Sequence, residues 1–287
     1  MTKTKVSFRN AGAQAQHAAR SLRLKSQGTE RNYEQALKGV AEYLKEQRLG
    51  DLRHLDKEKA ELYLEMRSQE IGQKALDLDR QAIQTLIGQK LNVIKSEKEQ
   101  ILKSRAYTST QTQIVASAQN ERNALATLIA ENAGLRAHEL FTLLPAHQRP
   151  ADTHREYRKD RFSNRENFTL YTVEGKGGLC REVALDNTLV AKLESRRLDQ
   201  AQQIYDRGIG YQPHYDLGGG QAWSSSFNKA SNRELGWSNG AHGLRHAYAQ
   251  QRMNSLQGAG YEYRQALTVV SEEMGHFRPD ITEVYLR

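Results

Sequence analysis

Cysteine is nearly absent from this sequence: Cys180 is the only one in 287 residues, which excludes an internal disulfide and any cysteine-based zinc cluster. Long apolar runs are missing as well. Hydrophobic residues make up 38% of the chain, and no apolar run reaches the roughly 18 residues that a membrane-spanning helix needs. No apolar signal region follows the basic start MTKTKVSFRN. These absences fit a reducing cytoplasm. What is present in excess is positive charge: 42 Lys and Arg stand against 34 Asp and Glu, a formal net charge of +8, with a pI near 9.4. The balance favours a polyanionic partner, although charge speaks to association and not to fold, and a merely basic protein would share it. The length leaves room for two separate cores.

The densest chemistry lies in one C-terminal block, with HGLRH at one end and MGHFRPDITEVY at the other. It holds side chains that together can grip a phosphodiester, move its protons and attack it. His242 and Arg245 are three apart, so a helix that follows Gly240 projects both from neighbouring positions on one face. Gly275 allows a close approach just before His276, and Tyr285 follows nine residues later. Upstream, GLRAHEL carries Arg136 with Glu139, and EGKGG carries Lys176 between glycines. Each short string is weak evidence alone. Taken together and in this order, the set resembles the tyrosine recombinases, the family of phage-type integrases and Xer-type recombinases.

That resemblance implies a fold that is mainly α with a small antiparallel β-sheet. An N-terminal helical, SAM-like core-binding domain would precede an α+β catalytic domain. It implies a site-specific DNA recombinase that cuts and rejoins strands through a 3′-phosphotyrosine intermediate. The implied catalytic residues are Arg136, Lys176, His242, Arg245, His276 and Tyr285, with Glu139 orienting Arg136 or a histidine. No cofactor and no metal are implied. The implied partners are double-stranded DNA at specific recombination sites, further copies of the chain in a synaptic tetramer, and an accessory or directionality factor. The setting is cytoplasmic, at the nucleoid, in the service of a mobile genetic element. A type IB topoisomerase-like enzyme and a catalytically silent DNA-binding accessory protein are the alternatives.

Read in order, residues 1–25 are basic, with Arg9, Arg20, Arg23 and Lys25, and suggest a flexible or weakly helical arm. From Thr29, Tyr33, Leu37, Val40 and Leu44 recur at helical spacing, and this helix closes near Gly50. Asp56 can cap a second helix, and Asp77 can start a third that Gly88 stops. Residues 26–105 thus read as a compact helical module, which the resemblance makes the core DNA-binding domain, with residues 106–287 as the catalytic one. Lys90, Lys95, Lys98, Lys103 and Arg105 line the stretch before the boundary. They are either a solvated face or contacts to backbone phosphates.

Beyond it, Ile114, Ala118, Leu125, Leu128 and Ile129 form helical stripes that end at Gly134, and a helix from Ala137 carries Glu139. Residues 145–167, with Pro145 and Pro150, suggest a long surface loop. FTLYTV and LCREVAL read as two strands of a hairpin with Lys176 at its tip. A helix over residues 187–205, a mobile glycine-rich connection and a helix over residues 224–235 follow.

A phosphodiester is anionic, so its non-bridging oxygens must be neutralised first. Planar guanidinium groups such as Arg136 and Arg245 donate paired hydrogen bonds and stabilise charge as it develops. A phenol ionises only near pH ~10 in water, so Tyr285 needs help. The resemblance gives His242 a part-time base role, His276 a hydrogen bond to a non-bridging oxygen, and Lys176 protonation of the departing 5′-oxygen. His242 and His246, four apart, also invite a zinc reading, but Arg245 brings a positive charge to the same face and no acidic third ligand lies nearby. His246 is then a helix-packing histidine or one that supports the site residues from behind. Tyr248, Tyr261 and Tyr263 are nucleophiles by residue type only, with packing roles as their alternative.

The chain departs from the family pattern in two places. The interval from Arg245 to His276 is long, which requires an extended or extra helical segment over residues 254–270. The sequence also stops at Arg287, two residues past Tyr285, where family members generally continue into an element that docks on the neighbouring subunit. A mobile Tyr285 in the absence of DNA is the expectation.

Overall fold

The structure, a computed structural model, describes residues 10–98 and 103–287, with Lys176 described by its backbone alone. The chain divides into two compact units, Met1–Ile101 and Leu102–Arg287.

The first unit is helical: α1 (Ala11–Ser21), α2 (Gln27–Glu46), α3 (Lys57–Ser68) and α4 (Gln73–Ile87). Its core joins Leu37, Val40 and Leu44 of α2 to Tyr63 and Leu64 of α3 and to Leu76 and Ile83 of α4. Helix α2 starts before Thr29 because the Ser26 side chain takes the cap and accepts from the Thr29 amide at 3.4 Å. Asp56 caps α3, accepting from the Lys59 amide at 2.9 Å. Asp77 caps nothing: α4 begins after Gly72, and Asp77 pairs with Arg80 inside it. Gly88 ends α4 in the left-handed region, φ 66°.

The expected N-terminal arm is corrected from residue 10 onward. Asn10 caps α1, whose Ala15 and Ala19 are completely buried. The stripe that packs is made of alanines, so no bulky apolar period marked it. Residues 1–9, including Arg9, lie outside the described residues.

Residues 89–97 continue without helix, with Leu91 buried in this unit and Lys90 and Lys95 exposed. Lys98, Lys103 and Arg105 are exposed too, and Arg105 donates to the Asn239 carbonyl at 2.9 Å.

The second unit opens with α5 (Ser109–Ser117) and α6 (Glu121–Ala133). An antiparallel sheet follows, ordered β1 (Leu144–Pro145), β2 (Phe168–Glu174), β3 (Cys180–Asp186). The β2–β3 hairpin pairs Tyr171 with Val183. The β1 edge had no signal, being two residues long. Helix α7 (Asn187–Glu194) stops well short of Tyr205. Its last residue, Glu194, accepts hydrogen bonds from Tyr171, Tyr215 and Arg197, and this polar knot turns the chain away.

The glycine-rich connection is partly a hairpin, β4 (Ile204–Asp206) with β5 (Ile209–Tyr211). Its turn residues Arg207 and Gly208 both have positive φ, as a two-residue turn of this twist needs. Helix α8 (Gly220–Leu235) buries Trp223 and Phe227 against α6 and the sheet. Helices α9 (Gly243–Gly258) and α10 (Tyr263–Glu273) fill the long Arg245–His276 interval, and α11 (Pro279–Glu283) runs into a 3-10 turn, Val284–Leu286.

The expected surface loop at 145–167 is held inward over part of its length. The Arg158 and Phe162 amides donate to the carboxylates of Glu272 and Glu273, both at 2.8 Å, and Phe162 is buried.

Candidate active site

Helix α6 ends at Gly134, whose φ of 60° suits glycine and where a Cβ would meet the Tyr248 ring at 2.6 Å. Leu135 then turns into the core, and Arg136 emerges half-buried. No helix starts at Ala137. A 3-10 turn, Glu139–Thr142, instead drives the Glu139 side chain into the interior, where it is fully buried.

Three guanidinium groups gather on that carboxylate. It accepts from the Arg136 amide and from Arg136 Nη1, both at 2.8 Å, and from Arg181 Nη2 at 3.1 Å, with Arg245 Nη1 at 3.9 Å. Burial alone would favour the neutral acid. The charges of Arg181, Arg245 and Arg136 outweigh it and hold Glu139 at about 2.

Arg245 leaves the first turn of α9 completely buried. Its Nη1 donates to the Gly134 carbonyl and its Nη2 to the Met274 carbonyl at 3.2 Å. Burial and the nearby Arg136 lower its pKa to about 10, against the opposing pull of Glu139. It remains a cation at neutral pH.

His276 follows Gly275, whose φ is 71° and where a Cβ would strike Arg181 Cδ at 2.7 Å. Its Nε2 lies 3.0 Å from Arg245 Nη2, and its Nδ1 lies 3.0 Å from Thr282 Oγ1. Arginine can only donate, so Nε2 is the acceptor and the proton sits on Nδ1. Burial, then Arg245 and Arg136, push the imidazole down to about 3. A neutral His276 with that tautomer cannot donate from Nε2 to a phosphate oxygen while Arg245 holds it.

Tyr285 is buried, only 9% exposed, in the 3-10 turn after α11. Its ring centroid lies 4.7 Å from that of His246, 5.1 Å from His276 and 5.4 Å from His242, with the Arg245 guanidinium carbon at 5.6 Å. Gln250 Nε2 donates to the main-chain oxygens of Tyr285 and Arg287, both at 3.1 Å. Where a mobile tyrosine was expected, the structure places Tyr285 buried, with three imidazoles against its ring and a side-chain amide on the main chain of its turn. His242 precedes α9, is exposed, and is pushed below the usual histidine range by packing, Arg245 and His246. His246 is brought to about 4 by burial and by Arg105.

No family model matches the chain, and no curated protein matches it by sequence. Solved structures do match. A XerH site-specific recombinase bound to its palindromic difH substrate, in a post-cleavage complex, is 16% identical, with a TM-score of 0.56 over 96% of this chain and 90% of its own. Its pre-cleavage complex on difH gives 15% identity and 0.56 over 99% and 94%. A lambda integrase tetramer on a Holliday junction gives 14% and 0.55 over 94% and 75%. The chain has the tyrosine-recombinase fold.

Within that fold, Arg136, Glu139, Arg245, His276 and Tyr285 are joined by direct contacts, and His242 closes the group beside Tyr285. The Lys176 backbone lies in the β2–β3 turn, Lys176–Gly178. A Cβ on the preceding Gly175 would come 3.3 Å from Glu139 Oε1, which puts this turn beside the arginine cluster. The Lys176 side chain lies outside the described atoms. Of the rival tyrosines, Tyr248 donates to Glu273 at 2.8 Å in the interior, Tyr261 contacts Ser163 at 3.2 Å, and Tyr263 reaches Glu283 at 3.5 Å.

Sequence reasoning missed Arg181 and Gln250, and it gave His246 a supporting place at most, as the alternative to plain helix packing. Arg181 did leave a trace: it shares a strand face with Val183 and Leu185, an inward position where an arginine needs a buried partner. Among the described residues, no group of three or more His, Cys, Asp or Glu side chains could hold a metal ion. No helix among them is long and apolar enough to cross a membrane.

Proposed function

We propose that the protein is a site-specific tyrosine recombinase that cuts and rejoins DNA through a 3′-phosphotyrosine bond. The observation that carries this reading is the meeting of Arg136 and Arg245 on the buried Glu139, with the Tyr285 ring against Arg245. Two fixed cations with a net excess over one carboxylate suit an anionic phosphodiester. Tyr285 Oη attacks phosphorus, and the P–O5′ bond breaks. The 5′-oxygen leaves with a proton that, by resemblance, Lys176 supplies.

His242 takes the phenolic proton; its depressed pKa keeps it neutral and free to accept. An arriving phosphate competes with His276 for Arg245 Nη2; the ring then takes the other tautomer, with Nδ1 accepting from Thr282 Oγ1 and Nε2–H donating to a non-bridging oxygen. Glu139 aims Arg136 throughout. Because the covalent link conserves the phosphodiester, rejoining needs neither ATP nor metal.

The reading extends to double-stranded recombination sites as substrate, a tetrameric synapse and a mobile element as context. Lys90, Lys95, Lys98, Lys103 and Arg105 are assigned to backbone phosphates; all five are exposed. A suicide duplex nicked beside the scissile phosphate tests the chemistry. Wild type should trap a covalent adduct in EDTA, and Tyr285→Phe should trap none while still retarding the duplex. An equal adduct from Tyr285→Phe removes the nucleophile. Relaxation of supercoiled plasmid at no preferred site would favour a topoisomerase, and specific retardation without any adduct would favour an accessory protein.

A further inference from the structure

His242, His246 and Gln250 are spaced four apart, so they form one stripe along the face of α9. The two histidines meet the Tyr285 ring, and Gln250 reaches past it to the main chain on either side of Leu286. These contacts do different work. Ring-on-ring packing resists withdrawal of the phenol but tolerates sliding in the ring planes, and His246 adds one hydrogen bond to the Tyr285 main chain. Two hydrogen bonds from one amide nitrogen to the oxygens of residues 285 and 287 set where the turn sits along the helix. An amide nitrogen has two hydrogens, so each oxygen takes one. The adjacent Gln251 faces the other way, donating to Ser109 Oγ at 3.1 Å on α5.

We infer that Gln250 is a positioning residue for the nucleophile: by holding the 284–287 turn against α9 of the same chain, it fixes the approach of Tyr285 to the phosphate. The inference rests on the recombinase reading for its kinetic consequence but not for the hold itself. Reaction rate is steep in approach geometry, and a displacement of about 1 Å can cost about a hundredfold.

The test combines single-turnover adduct formation on the nicked duplex, at saturating DNA, with duplex affinity by gel retardation and amide exchange of the C-terminal turn without DNA. Gln250→Leu should slow adduct formation by about 10- to 100-fold, leave affinity within about twofold, and speed exchange at residues 284–287. Gln250→Lys, which keeps an N–H donor of similar reach, should restore most of the rate. Gln251→Leu, which removes a like bond from the opposite side of α9, should change neither rate nor exchange. If Gln250→Leu fails to fold, Gln250→Glu sets an acceptor against the two oxygens and carries the same expectation.

A wild-type rate in Gln250→Leu, a loss that tracks DNA affinity, or an equal loss in Gln251→Leu overturns the inference. Absence of adduct from wild type on any duplex defeats the recombinase reading instead, and the exchange comparison then decides alone whether Gln250 holds the turn.

Discussion

Glu139 carries one negative charge among three guanidinium groups, and its removal leaves those cations facing one another in a low-dielectric interior. Glu139→Ala should therefore cost about 3–5 kcal/mol of stability, the range for breaking a buried ion pair, read as a drop in the denaturant midpoint. A loss under about 1 kcal/mol would mean that Arg136 and Arg181 find other partners. The paired string GLRAHEL announced Arg136 and Glu139. Their shared contact with Arg181 was not legible, because it joins a turn to a strand more than forty residues away and depends on which way β3 faces.

At the scale of elements, α1 and α9 show where periodicity succeeds and where it fails. Bulky residues at helical spacing marked α2, whereas α1 is held by alanines whose small size lets two helices come close. Ala15→Leu should thus overfill the contact and destabilise by about 1–3 kcal/mol. Thermal unfolding would read it, and an unchanged midpoint would mean that α1 packs loosely. Gly134 is the other sensitive joint: a methyl there meets the Tyr248 ring in a left-handed conformation. Gly134→Ala should displace the Gly134 carbonyl from Arg245, so the expected outcome is slower adduct formation as well as lower stability. The start of α9 at Gly243 agreed with the His-x-x-Arg spacing, while the 3-10 turn at Glu139 replaced an expected helix because the carboxylate bonds back to the Arg136 amide.

For the whole molecule, the histidines around Tyr285 link stability to pH. His276 is held near about 3 and His246 near about 4, with His242 lowered too. The unfolded chain, with imidazoles near pH ~6.5, binds more protons below that value, so stability is full above it and falls as pH drops toward 4. The Glu139 contribution is lost lower still, as pH approaches about 2. The melting temperature should be flat between pH 7.5 and 8.5 and at least about 3 °C lower at pH 5; a flat profile down to pH 5 would show that these rings are not shielded. The sequence by itself determined the order of the reactive residues, the excess of positive charge and most helices, since all three are written in local spacing and composition. Only the tertiary structure decided that Tyr285 is held in place, that Arg181 completes the cluster and that Gln250 reads the last turn. Those contacts join segments dozens of residues apart, and neither spacing nor propensity encodes which buried donor meets which acceptor.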